Sequence, residues 1–165
     1  MKVQDVMSCD VQTCGPETNL STAAMQMWRG DFGAMPVVTT VGKVVGMITD
    51  RDICMAAATK HRDPANIRVK EVMSGKAYGC SCDTDIHEAL KIMQQKQVRR
   101  LPIVSAEDGR LQGILSMNDV AIKAQGGRNA ELSAEDVEST MRGICAHREL
   151  PLAKQMEPAA ELAVV

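Results

Sequence analysis

GMITDRDI (46–53) and GILSMNDV (113–120) are one device written twice, 67 residues apart. In each copy a glycine leads a short apolar run, a hydroxyl residue closes it (Thr49, Ser116), and an aspartate follows three positions on (Asp52, Asp119). That spacing is an N-terminal capping pair, so a strand runs directly into a helix that opens at Asp50 or Met117. At such a junction the hydroxyl oxygen and the free first-turn N–H groups can face an anion. A carboxylate one turn in can accept hydrogen bonds from a ligand diol, and the two together suit a ribose phosphate. Capping alone accounts for one copy; two copies at matching places favour binding.

The repetition extends over most of the chain. Val6, Met7 and Ser8 map onto Val72, Met73 and Ser74 at an offset of 66. Thr18 maps onto Thr84, Ala23 onto Ala89, and AMPVV (34–38) onto RLPIV (100–104) at the same offset. The slip to 67 falls between VVTTVGKVVG (37–46) and IVSAEDGRLQG (103–113). Each is a pair of apolar runs around a Gly-containing turn, and a hairpin loop absorbs an insertion. Each unit also has an extended segment at 11–14 or 77–80 and a helix from near Thr18 or Thr84. Leu20, Ala23, Ala24 and Met27, then Ile86, Ala89, Leu90 and Met93, fall at helical spacing. Strands follow from Met35 or Leu101 and at 44–48 or 111–115. The order is β-α-β-β-α, twice: an α/β chain of the α+β kind. Repeat 1 is expected over 1–60, a linker over 61–68, and repeat 2 over 69–124. A unit this short buries its sheet poorly alone, so the two should pack as a pseudo-twofold pair.

Beyond 125 the pattern changes. Ser133 and Asp136 read as another helix start, and Val137, Met141, Ile144 and Cys145 form an apolar stripe for packing on the repeats or on a partner. The end, LPLAKQMEPAAELAVV (150–165), is expected to fray.

Composition excludes several classes. The net charge of -2 offers no general attraction to nucleic acid or anionic lipid. No apolar run reaches membrane-spanning length, and the start has no secretory apolar core. The six cysteines are then expected to be reduced thiols in a cytoplasmic protein. Cys80 and Cys82 are too close for the usual zinc knuckle, and no second pair completes a four-ligand set, so no metal is expected. No nucleophile elbow, phosphate-binding loop or dinucleotide fingerprint is present, and no enzyme activity is expected. His61 and His87 read as solvated surface residues.

With these residues in view, the chain resembles the CBS domain family, and its two repeats resemble a Bateman module. The resemblance covers about residues 1–124. It implies a regulatory module with two inter-repeat clefts for an adenine nucleotide (AMP, ADP or ATP) or a related adenosyl ligand, with no cofactor required. One cleft would combine Ser116 and Asp119 with Met7, Ser8, Asp10, Val11, Ala34 and Met35. The other would combine Thr49 and Asp52 with Met73, Ser74, Ala77, Tyr78, Arg99, Arg100 and Leu101. It also implies a homodimer acting on an unknown protein target; a ligand-free dimerisation or adaptor module is the alternative.

The clefts should differ. Arg99 and Arg100 stand where repeat 1 has Gly33 and Ala34, and Arg51 becomes Asn118. Guanidinium groups favour phosphate by charge and by their fork of donors, so the Thr49/Asp52 cleft is expected to be the stronger nucleotide site. Asp10 against Lys76 changes the charge of the base-side pockets further. The C-terminal helix is expected to report occupancy, and its removal after Gln125 to spare nucleotide affinity.

Overall fold

The computed structural model describes residues 1–75, 77–125 and 130–147. Lys76 and the terminal stretch expected to fray lie outside them. Repeat 1 contains α1 (Leu20–Gly30), β1 (Ala34–Val38), β2 (Val44–Thr49) and α2 (Asp50–Thr59). Repeat 2 contains α3 (Ile86–Lys96), β3 (Arg100–Val104), β4 (Leu111–Ser116) and α4 (Met117–Lys123). α5 (Ala134–Cys145) follows. Each strand pair is an antiparallel hairpin, Met35 facing Ile48 and Leu101 facing Leu115. Among the described residues no helix is long and apolar enough to cross a membrane.

The expected first strand of each unit shrinks to a single bridge, Cys14 beside Val37 and Cys80 beside Ile103. Cys14 donates to the Pro36 carbonyl at 3.2 Å, and its own carbonyl accepts from Val38 at 2.9 Å. The next parallel rung would need an N–H from residue 36, and proline has none. Pro102 interrupts the second copy in the same way. Thr18 and Thr84 do not cap the first helices either. They accept from Gly15 and Ser81 in the preceding turn, and Asn19 and Asp85 cap α1 and α3.

Two aliphatic cores result, and each takes residues from the other repeat. Val3 and Val6 lie in the core of Ile86, Met93, Leu101, Ile103 and Leu115. Ile67 and Val69 lie in the core of Leu20, Met27, Met35, Val37 and Ile48. The backbone follows the same exchange. Ser8 and Ile114 trade two N–H···O bonds of 2.9 Å, and Ser74 donates to Met47 O at 2.9 Å. Gly46 and Gly113 permit this crossing. A Cβ at Gly46 would sit 2.6 Å from Ser74 O, and one at Gly113 would sit 2.8 Å from Ser8 O. At the hairpin tips, Leu111 donates to Gly42 O at 3.1 Å. The matched contacts define the pseudo-twofold relation between the halves.

α5 packs on α3 and α4 of repeat 2. Ser133 caps it, accepting from Asp136 N–H at 3.2 Å. Ile144 is buried, but Cys145 of the expected stripe is exposed and Thr140 is buried in its place. Thr140 is accommodated because its hydroxyl lies 3.3 Å from the Gln94 amide. The Ser133 hydroxyl and N–H hold the Asp136 carboxyl below its ordinary pKa, with a smaller contribution from His87. A carboxylate lowered by folding stabilises at neutral pH and loses that contribution as pH falls through its folded value. We expect acid to loosen the start of α5 before either hairpin, and Ser133→Ala to cost about 1 kcal/mol and weaken that pH response. NMR chemical shifts of α5 against pH test both; α5 and hairpins melting together with identical midpoints would contradict this.

Candidate functional site

Two clefts flank the pseudo-twofold axis. The first, of about 440 Å³, is lined by Ser8, Asp10, Val11 and Gln12, by the corner 30–34, and by Arg100, Ile114, Ser116, Asn118 and Asp119. Ser8, Asp10, Val11, Ala34, Ser116 and Asp119 thus share one cleft. Asp119 is its best-anchored group: Oδ2 accepts from Ser116 N at 2.8 Å and Ser116 Oγ at 2.5 Å, and Oδ1 from Ser8 Oγ at 3.0 Å. Residues of the two repeats therefore meet through a direct bond at this wall.

The second cleft, of about 470 Å³, is lined by Gly33, Ala34, Met47, Thr49, Asp50, Arg51 and residues 97–100. It brings Thr49, Arg51, Arg99 and Arg100 together. Asp52, Met73, Ser74, Ala77, Tyr78 and Leu101 are not among its walls. Leu101 is fully buried core, and so is Met35 across the axis; neither presents surface to a ligand. Strand alternation turns both inward, one residue past the cleft-facing position. The sulfurs of Met73 and Met7 lie against Gly46 and Gly113 at the crossings. Ser74 Oγ donates to Met47 O at 3.1 Å. Ala77 borders a smaller cavity near the hairpin tips, and the Lys96 ammonium lies 5.3 Å from the centre of the Tyr78 ring.

The helix junction is more self-sufficient than the sequence suggests. Asp52 Oδ2 accepts from Thr49 N at 2.9 Å and from Thr49 Oγ1 at 2.7 Å, and Asp52 N donates back to Thr49 Oγ1 at 3.1 Å. Asp50 N donates to Gly33 O at 3.0 Å, and Arg51 N to Asp50 Oδ1 at 2.7 Å. The first three N–H groups of α2 are thus engaged within the protein, and the expectation of free first-turn donors there is corrected. The same capping box at Ser133 and Asp136 borders neither cleft, so the motif alone does not mark a site.

Charge separates the clefts. Among the described residues, Asp10, Asp31 and Asp119 face one arginine in the first; Arg51, Arg99 and Arg100 face one aspartate in the second. Residues 34 and 100 are repeat equivalents, and each borders both clefts. Arg100 therefore stands at the junction, not in the second cleft alone. Sequence reasoning missed Asp31 and Gln97, which also correspond at an offset of 66. Both close their helices in the left-handed conformation, with φ of 51° and 50°. That helix-stop role was the available signal.

α5 reaches the second cleft from behind. Gln97 Nε2 donates to Ala146 O at 2.8 Å, and an Arg99 nitrogen lies 3.9 Å from Cys145 Sγ. Gln97 and Arg99 thus touch the end of the helix that is expected to report occupancy.

Two α-β-β-α halves, each with a single bridge in place of a first strand, with exchanged N-terminal segments and a cleft on either side of the axis, define a CBS pair. The chain belongs to the CBS domain family, whose profile matches residues 3–59 and 69–125. It is 35% identical over 128 residues to the CBS domain-containing protein YhcV of Bacillus subtilis, covering 78% of this chain and 89% of that protein. The crystal structure of Hypoxic Response Protein I with two coordinated zinc ions superposes with a TM-score of 0.68 at 31% identity, covering 76% of this chain and all of that one. The CBS domain pair of MJ0100, in complex with 5-methylthioadenosine and S-adenosyl-L-methionine, gives 0.67 at 23% identity, covering 74% and 94%. Among the described residues of this chain no three His, Cys, Asp or Glu side chains come together.

Proposed function

We propose that this chain is a regulatory module that binds an adenine nucleotide in the Thr49 cleft. The observation that carries the proposal is the convergence of Arg51, Arg99 and Arg100 on a cleft made by both repeats. Three guanidinium groups against one carboxylate favour the phosphate of AMP, ADP or ATP. Met47, Val98 and Ala34 supply apolar wall for the base, and the Thr49 hydroxyl stands at the helix junction beside it. The engaged N–H groups of α2 leave phosphate recognition to the arginine side chains. The adenosyl ligands of the MJ0100 pair support the same class of ligand.

The Ser116 cleft suits a different occupant. Its aspartates oppose phosphate, and Asp119 is available for a ribose hydroxyl, so an uncharged nucleoside or a cationic adenosyl compound fits it better. A ligand that spans both repeats converts occupancy into shape only if it binds one arrangement of the halves more tightly than another. The proposal includes a cytoplasmic homodimer without catalytic activity.

Thermal unfolding with AMP, ADP, ATP, methylthioadenosine and S-adenosylmethionine tests it. A ligand at about 100 times its Kd adds about 2.7 kcal/mol, which raises the midpoint by roughly 5–10 °C in a domain of this size. The nucleotides should shift the midpoint through the Thr49 cleft, and Arg51→Ala should reduce the shift. No response to any adenosyl compound at millimolar concentration would leave the ligand-free dimerisation module as the better account.

A further inference from the structure

α5 lies beyond the residues that the family profile matches, and it changes what the surface of repeat 2 can bind. Against α3 it packs closely: a Cβ on Gly143 would come within 2.9 Å of Gln94 Cγ. Between α5 and α4 the fit is looser and leaves a cavity of about 350 Å³. Its sides differ in kind. α5 contributes only apolar side chains, Val137 and Met141, one turn apart and half-buried. The opposite side brings Arg99 and Arg100. Among the described residues no carboxylate lines this cavity, whereas each inter-repeat cleft holds at least one. Among the same residues Arg100 makes no ion pair or side-chain hydrogen bond, and the only such contact of Arg99 is to Cys145 Sγ at 3.9 Å.

We propose that this cavity binds a medium-chain aliphatic carboxylate, held between repeat 2 and α5. The planar pair of carboxylate oxygens matches the donor forks of Arg99 and Arg100. The tail runs over Met117, Ala121, Val137 and Met141, where the unbranched thioethers adapt to its shape. The Ser116 hydroxyl is committed to Asp119, so no group of the lining is left to accept from a ribose as a carboxylate would. A simple anion with an aliphatic body therefore fits better than a second nucleotide. A ligand that touches α4 and α5 together stabilises their packing, so occupancy holds α5 down. Arg99 and Arg100 also border the Thr49 cleft. One pair of guanidinium groups serves two anions poorly, so carboxylate and nucleotide phosphate oppose each other, and the opposition is reciprocal. That coupling rests on the nucleotide reading; the carboxylate site does not.

Octanoate is the probe, with acetate supplying the charge alone and octanol the tail alone. Titration calorimetry of the full chain, up to about 2 mM ligand, is expected to show one octanoate bound and neither of the others. In methionine-methyl NMR spectra octanoate should shift Met117 and Met141 and leave Met7 and Met73 unmoved, while AMP should shift Met47. Ala121 is exposed on α4. Ala121→Glu should weaken octanoate at least about 10-fold with an unchanged unfolding midpoint, and Ala121→Gln by less than about 3-fold. Bound octanoate should weaken AMP about 3- to 10-fold. Absent octanoate binding, octanol binding as tightly, or equal losses in the two Ala121 variants would each overturn the site. AMP affinity indifferent to octanoate overturns the coupling alone. AMP that fails to bind while octanoate shifts Met117 and Met141 overturns the nucleotide reading with its coupling, and supports this site.

Discussion

Gly46→Val is expected to cost roughly 3 kcal/mol of folding stability, read as a lower midpoint in urea unfolding. The Cβ it introduces would meet Ser74 O at 2.6 Å and Met73 Sδ at 3.0 Å. A flexible sulfur can move, but the Ser74 carbonyl belongs to a backbone whose own N–H is bonded to Met47 O. Relief requires residues 72–74 to lift from β2, which also draws Val72 and Met73 off the core they pack against. Gly113→Val should behave alike, since its Cβ would meet Ser8 O at 2.8 Å. There the bond from Ser8 to Asp119 would be disturbed as well, so the Ser116 cleft should lose ligand along with stability. Gly75 is the control: nothing lies within 4 Å of a Cβ there, and Gly75→Ala should change stability by less than about 0.5 kcal/mol. Equal midpoints for all three variants would mean the crossings are looser than these distances indicate.

Arg100→Ala should weaken AMP or ATP binding by about 10- to 100-fold, since a hydrogen bond to a charged group contributes about 1.5–3 kcal/mol. Its fold position makes the effect larger than that of Arg51→Ala. Residue 100 opens β3 opposite Ser116 and borders both clefts, whereas Arg51 borders only the second. A phosphate that draws Arg100 into the Thr49 cleft removes the sole cation, among the described residues, from the walls of the other. Titration calorimetry should therefore show the variant losing nucleotide affinity while a cationic adenosyl ligand in the Ser116 cleft keeps or gains its own. Unchanged nucleotide affinity would remove Arg100 from phosphate recognition.

The hairpins, the junctions at Thr49 and Ser116 and the start of α5 were legible because each rests on short-range spacing. The offset of 66 carried the equivalence of the halves, and it marked Arg100 as the charged counterpart of Ala34. The composition of the Thr49 cleft was less legible. The expected lining from 73 to 78 goes instead to the crossing, to a hairpin-tip cavity and to the Tyr78–Lys96 contact. Residues 97–100 take that place, brought there by a left-handed turn at Gln97 that no apolar periodicity reveals. The loss of the first strand was readable in principle from Pro36 and Pro102. The engagement of the α2 donors was not. The Gly33 carbonyl that accepts from Asp50 precedes β1, and only the closed hairpin brings it to the end of β2.

The exchange of N-terminal segments bears on how the polypeptide can be divided. Cut it in the stretch 61–66 and neither product holds a complete interior: one carries away Val3 and Val6, the other Ile67 and Val69. A protease nick there should leave the fragments clasped, each plugging its sibling. Produced singly, either fragment would be a lock without its key, and would stay unfolded until it met the other or a second copy of itself.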